Sequence, residues 1–219
     1  MTIQFQNEEK FDMRKIDWSL YLCTDQNLTR NRSLEESVEL AIRGGVTVVQ
    51  VREKDSTDRE FFETALRIRS ITSRYKIPLI INDRIDIAMA AAADGVHVGQ
   101  TDLPCSILKK ISKDLIVGVS VSTVEEAIRA ESDGADYLGV GAIFSTNTKS
   151  DADSVSIETL KKIRESVKIP VIAIGGINSQ NLSIVKSANV DGVAVVSAII
   201  SSDDPERSAR DLINQWKSE

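Results

Sequence analysis

One pattern constrains this chain more than any other. From Trp18 onward a short apolar run, a polar turn and a segment of helical period recur in that order. The runs are Ser19–Thr24, Thr47–Arg52, Leu79–Asn82, Gly95–Gly99, Ile116–Ser120, Tyr137–Gly141, Val171–Gly175 and Gly192–Ser197. Each is brief and rich in Val, Ile and Leu, as strands covered on both faces must be. The segments between them carry helix starts. Ser33-Leu-Glu-Glu36, Thr57-Asp-Arg-Glu60 and Thr123-Val-Glu-Glu126 match the capping box, and Asp204-Pro205-Glu206 places an N-cap before a first-turn proline. Return turns read Gly44-Gly45-Val46, Ala93-Asp94-Gly95, Gly134-Ala135-Asp136 and Asp191-Gly192, and Pro205–Trp216 reads as a closing helix.

Eight strand–helix units predict an α/β fold, a single (β/α)8 TIM barrel with a short N-terminal extension. A doubly wound open sheet is the alternative, and six strands would suit it better than eight. A chain of 219 residues is near the small end for such a barrel and still buries a substantial core. Residues 18–219 form the barrel in this reading. Residues 1–17 are polar, with Phe5, Phe11, Met13 and Ile16 among charges, and read as a short capping helix or a partly ordered tail.

Composition removes several classes of function. A net charge of −6 with no basic, aromatic-interleaved stripe argues against nucleic acid as a partner. No apolar run is long enough to span a bilayer, and the polar start lacks the layout of a signal peptide, so a cytoplasmic location is expected. Cys23 and Cys105 have no metal or redox spacing and read as unpaired thiols. The expected partners are small molecules. A homo-oligomer is compatible with the chain, through an apolar patch on an outer helix.

Barrels of this kind carry their chemistry at the C-terminal ends of the strands. Strand two ends Gln50-Val51-Arg52-Glu53-Lys54, and alternation puts Gln50, Arg52 and Lys54 on one face, an arrangement suited to an anion or to a salt-bridged rim. Strand three ends Asn82-Asp83, and Asp102 follows strand four. Two carboxylates at neighbouring strand ends suit Mg²⁺, which takes one or two carboxylates with water and phosphate oxygens; they equally suit helix N-caps. Gly118 and Ser120 end strand five, with Ser120 as a donor to an oxyanion. His97, flanked by Val96 and Val98, reads as a packed, hydrogen-bonded residue rather than a base. After strand six, Gly139 and Gly141 leave backbone that a ligand can approach, and Thr146, Thr148 and Lys149 offer hydroxyls and an ammonium for phosphate. Gly176, Val196 and Ser197 follow strands seven and eight, where these barrels hold a phosphomonoester on backbone N–H groups. Two anion sites at one mouth describe a phosphate-linked transferase.

The motifs Q-V-R-E-K at 50–54, I-N-D at 81–83, H-V-G-Q-T-D-L at 97–103, G-V-S at 118–120, G-A-I-F-S-T-N-T-K at 141–149, I-G-G-I at 174–177 and V-S-A-I at 196–199 resemble those of the thiamine phosphate synthase family, over roughly Leu20 to Ile213. The resemblance implies condensation of a hydroxymethylpyrimidine diphosphate with a thiazole phosphate, or its carboxylated form, with Mg²⁺ and release of pyrophosphate. It implies that Gln50, Arg52, Lys54, Asn82, Ser120 and Lys149 bind the pyrimidine diphosphate, with Lys149, Ser120 and Arg52 catalytic. Asp83 and Asp102 would hold the metal, and Thr146, Thr148, Gly176, Val196 and Ser197 the thiazole phosphate. The sequence departs from the family pattern at Ser122, where histidine is frequent, and at Ala142, where proline is usual. The first puts a ring contact in doubt, and the second predicts a looser loop. A thiazole tautomerase-like relative, or a barrel that binds thiamine precursors without catalysis, is the alternative reading.

Overall fold

The brief apolar runs become parallel strands, β1 Leu20–Cys23, β2 Val48–Val51, β3 Leu79–Asn82, β4 Gly95–Val98, β5 Ile116–Val121, β6 Tyr137–Val140, β7 Val171–Ile174 and β8 Gly192–Val195. Each pairs with the next and β8 pairs with β1, so the sheet closes into an eight-stranded barrel. The computed structural model describes residues 15–145 and 154–218. Outside the strands lie α1 Leu34–Gly44, α2 Asp58–Tyr75, α3 Ile85–Ala90, α4 Cys105–Ile111, α5 Val124–Ser132, α6 Ile157–Ser166, α7 Leu182–Lys186, α8 Ser197–Ile200 and α9 Pro205–Lys217. No helix among the described residues is long and apolar enough to cross a membrane. The open-sheet alternative is excluded by the β8–β1 pairing, and the expected strands match to within two residues at each end.

The helices start where local chemistry predicts. Thr57 with Glu60 and Thr123 with Glu126 each form the full reciprocal box, and Ser33 accepts the Glu36 N–H. Such caps contribute about 1 kcal/mol each by satisfying N–H groups the helix leaves open. Gly44 and Gly45 do different work. A Cβ on Gly44 would lie 2.2 Å from the Glu206 carbonyl oxygen, so its bareness lets α1 approach α9, while Gly45 takes φ 112° and ends the helix.

Strand alternation splits the core in two. Leu20, Leu22, Val49, Val51, Ile81, Val96, Val98 and their counterparts face outward into a layer shared with the helices. Trp18, Tyr21, Cys23, Val48, Ile80, Ile116, Tyr137, Ile172 and Ala194 fill the barrel itself. Trp18 closes the N-terminal end against Tyr137, ring centroids 4.5 Å apart.

The N-terminal rim is organised by polar residues in the return turns. Thr47 Oγ1 accepts the Leu20 N–H at 3.1 Å, Asp94 the Leu79 N–H at 2.8 Å, Asp136 the Val117 N–H at 2.7 Å and Asp191 the Val171 N–H at 2.8 Å. Thus the residue before each even strand satisfies a donor near the start of the odd strand preceding it. Each aspartate also meets a cation: Arg69 at 2.6 Å from Asp94, Lys109 at Asp136, and Arg164 at 3.2 Å from Asp191. Satisfied donors and paired charges at this end fit its role in stability.

Candidate active site

At the opposite end, strand termini surround a cavity of about 150 Å³. Its wall runs from Arg52 and Asn82, past His97, Ser120 and Tyr137, to Gly176, Val196 and Ser197. Part of each expected anion site therefore opens onto one space, Arg52, Asn82 and Ser120 from one and Gly176, Val196 and Ser197 from the other, while Asp83 and Asp102 are not among its lining residues.

On β2, Gln50 is 4% exposed and points inward, and Arg52 continues on the same face. The alternation argument stops there. The strand ends at Val51, and Lys54 sits in an exposed bend outside the cavity lining, so it does not share the inner face with Gln50 and Arg52. Asn82 ends β3 and lines the cavity. Asp83 follows with φ 62°, a left-handed conformation aspartate tolerates better than most residues, and donates its N–H to the His97 carbonyl at 2.8 Å.

That turn sets the Asp83 carboxyl beside Asp102. Burial and then the Asp102 carboxylate push the Asp83 pKa up to about 6, while Arg52 and a hydrogen bond from Asn82 pull the other way. Asp102 is itself fixed by accepting the Gly99 N–H at 2.7 Å. Neither aspartate caps a helix: Arg84 precedes α3 and Pro104 precedes α4. The capping alternative for this pair is thereby removed. Two oxygen donors held against their own repulsion fit a hard divalent cation whose other ligands come from water and substrate. Among the described residues no group of three or more His, Cys, Asp or Glu is placed to hold a metal ion.

Gly139 and Gly141 line the cavity as expected, and with Gly118 they also make room for the protein's own atoms. A Cβ on Gly118 would lie 2.1 Å from the Tyr137 ring, on Gly139 3.0 Å from the His97 ring, and on Gly141 2.0 Å from the Ile174 carbonyl oxygen. The space is filled by the protein's own atoms. Gly175 and Gly176, at φ 105° and 63°, lie against Ala142 and Ser145. The Ile143 and Phe144 N–H groups reach the Ile174 and Gly175 carbonyls at 3.0 Å, and Ala142 is buried, so the start of the strand-six loop is tied to β7 although proline is absent. Thr146, Thr148 and Lys149 lie outside the described residues.

The apolar run of strand eight stops at Val195, and Ser197 opens α8 rather than ending the strand. Val196 and Ser197 both line the cavity beside Gly176 and Ile177. Ser122 faces elsewhere: its N–H and hydroxyl both donate to Glu126 at the start of α5. Sequence reasoning passed over Tyr21 and Tyr137 as strand residues and kept His97 apart from the site. His97 is packed and hydrogen-bonded, as expected, but its ring also lines the cavity. The signal was available in the alternation of Gly95-Val96-His97-Val98-Gly99, where the two valines must go outward and the imidazole inward. Cys23 and Cys105 are free, with burial pushing their thiols up to about 12 and about 11.

A family model described as thiamine monophosphate synthase matches residues 20–199. The chain belongs to the thiamine monophosphate synthase family. A thiamine-phosphate synthase of Ruminiclostridium cellulolyticum is 56% identical over 200 residues, covering 91% of this chain and 95% of that protein. One from Clostridium beijerinckii is 53% identical, covering 92% and 97%. The solved thiamine phosphate pyrophosphorylase from Pyrococcus furiosus superposes with a TM-score of 0.86 at 42% identity, covering 92% of this chain and 96% of that one. The family membership and the barrel anticipated from the strand-end motifs thus agree with independent comparison.

Proposed function

We propose that the protein makes thiamine phosphate, joining a hydroxymethylpyrimidine diphosphate to a thiazole phosphate and releasing pyrophosphate. The observation that carries this reading is the single cavity connecting Arg52 and Asn82 to Gly176, Val196 and Ser197. A leaving group with several negative charges belongs at the first end. There Arg52, Lys149 and Ser120 hold its oxygens, and Asp83 and Asp102 hold Mg²⁺. When bound, that ion supplies neutralisation of diphosphate charge. Gln50 and Asn82 orient the pyrimidine. At the other end Gly176, Val196 and Ser197, with Thr146 and Thr148, anchor the thiazole phosphate.

The bond from the pyrimidine methylene carbon to the diphosphate oxygen breaks, and the thiazole nitrogen donates its electron pair to that carbon. No proton leaves a carbon acid, so no strong base is required; the residues position two rings and stabilise departing charge. This accounts for a site built from hydrogen-bond donors and cations. The test is an assay of the purified protein with both substrates, with Mg²⁺ and with the metal chelated. Thiamine phosphate forms in the first case and not in the second. Tight binding of both substrates without product would favour a non-catalytic binding protein.

A further inference from the structure

Five inward-facing polar side chains from five different strands meet across the cavity floor. Gln50 Nε2 lies 2.8 Å from Tyr21 Oη, which lies 2.8 Å from Tyr137 Oη. His97 Nδ1 lies 2.9 Å from Tyr137 Oη, and His97 Nε2 lies 2.8 Å from Ser120 Oγ. The path enters from the cavity at Gln50 and returns to the cavity at Ser120. Tyr21 and Tyr137 are at most 2% exposed, and Gln50 and His97 at most 9%. Gly118 and Gly139 have given up side chains where the Tyr137 and His97 rings must pass.

The direction of these bonds follows from counting protons. An amide nitrogen only donates, so Tyr21 Oη accepts from Gln50 and gives its single proton to Tyr137. Tyr137 Oη in turn gives its own proton to His97 Nδ1. A neutral imidazole that accepts at Nδ1 carries its proton on Nε2 and donates it to Ser120. Ser120 therefore keeps its hydroxyl proton for the cavity, and Gln50 keeps its carbonyl oxygen. Turning the Gln50 amide over reverses every bond and leaves Ser120 with only lone pairs to offer. An anionic leaving group at this rim selects the first arrangement.

We propose that Gln50, Tyr21, Tyr137, His97 and Ser120 form one directed hydrogen-bond chain, in which Tyr21, Tyr137 and His97 are positioning residues that make Ser120 a donor and Gln50 an acceptor toward the substrate. The choice of direction rests on the proposed function; the coupling between the two ends rests on the geometry alone. The substrate group that fits is a nitrogen heterocycle presenting an N–H to Gln50, with its anionic substituent near Ser120.

His97 is the chain's only histidine, so the imidazole nitrogen NMR signals of the tag-free protein come from a single ring. At neutral pH the proton is expected on Nε2. Gln50→Glu places an acceptor-only carboxylate at the head of the chain, with Arg52 near to compensate its charge, and should move the proton to Nδ1. The same substitution in a Tyr137→Phe background, which severs the path, should leave the tautomer unmoved. If Gln50→Glu does not fold, Gln50→Met serves: without a donor at its head the chain loses its bias, and a mixture of tautomers is expected. A wild-type ring carrying its proton on Nδ1, or on both nitrogens, would overturn the assigned direction. A tautomer indifferent to residue 50 would overturn the coupling. Tyr137→Phe should also lower kcat roughly 10- to 100-fold with less change in KM, because Ser120 is then free to point its proton elsewhere. The tautomer is read without substrate, so a failed synthase assay leaves this result intact, and a failed tautomer result leaves the assay intact.

Discussion

The two rims of the barrel use aspartate in opposite ways. At the N-terminal rim Asp94, Asp136 and Asp191 each accept a backbone N–H and meet a cation. At the C-terminal rim Asp83 and Asp102 face one another, and the first is pushed up to about pH 6. The same residue type stabilises at one end and is held in repulsion at the other. Charge that the fold compensates only in part, here through Arg52, Asn82 and the Gly99 N–H, is charge available to a ligand. The contrast is the physical form of the division between a structural and a catalytic face in this architecture.

Substitution should separate the rims cleanly. Asp83→Ala is expected to remove several kcal/mol of transition-state stabilisation, the scale of losing a metal ligand, while its thermal midpoint is unchanged or higher. Turnover that survives this change would take Asp83 out of the metal site. Asp94→Ala should do the reverse. It leaves the Leu79 N–H and Arg69 without this carboxylate in a site that exposes little of either charge, at a cost of about 2–4 kcal/mol. Denaturant titration should register that loss with KM unaltered, and Asp94→Asn, which keeps an acceptor, should recover part of it.

The smallest effect is in the pH dependence of metal-free stability. A carboxyl whose folded pKa is raised favours the folded state only while protonated. Stability should therefore fall as pH climbs from the ordinary aspartate range through about 6, and Asp83→Asn should remove that part of the decline. Added Mg²⁺ should flatten the same curve in the wild-type protein. A decline that persists unchanged in Asp83→Asn would assign it to another group.

Much of the site was legible because strand ends carry it and strand ends can be located by period. Gln50, Arg52, Asn82, Ser120, Gly176, Val196 and Ser197 were each expected at the mouth, and each lines the cavity. Lys54 shows where the method fails. Past Val51 the chain leaves the sheet, and successive side chains no longer alternate. The glycines show a second failure. A missing side chain announces that something comes close, and nothing in the chain near Gly118 or Gly139 says that an aromatic or imidazole ring from elsewhere in the barrel fills the gap.

The sequence alone determined the repeat, the helix caps, the order of strands and the residue types at each strand end. These depend on interactions within a few positions, and periodicity and capping report them directly. Only the closed barrel decided that Gln50 and Ser120 communicate through Tyr21, Tyr137 and His97. Two of those contacts, Tyr21 to Tyr137 and His97 to Tyr137, join strands that are neither consecutive in the chain nor paired in the sheet. They exist because closure and register bring particular inward positions to one level, a constraint that no local stretch of sequence carries.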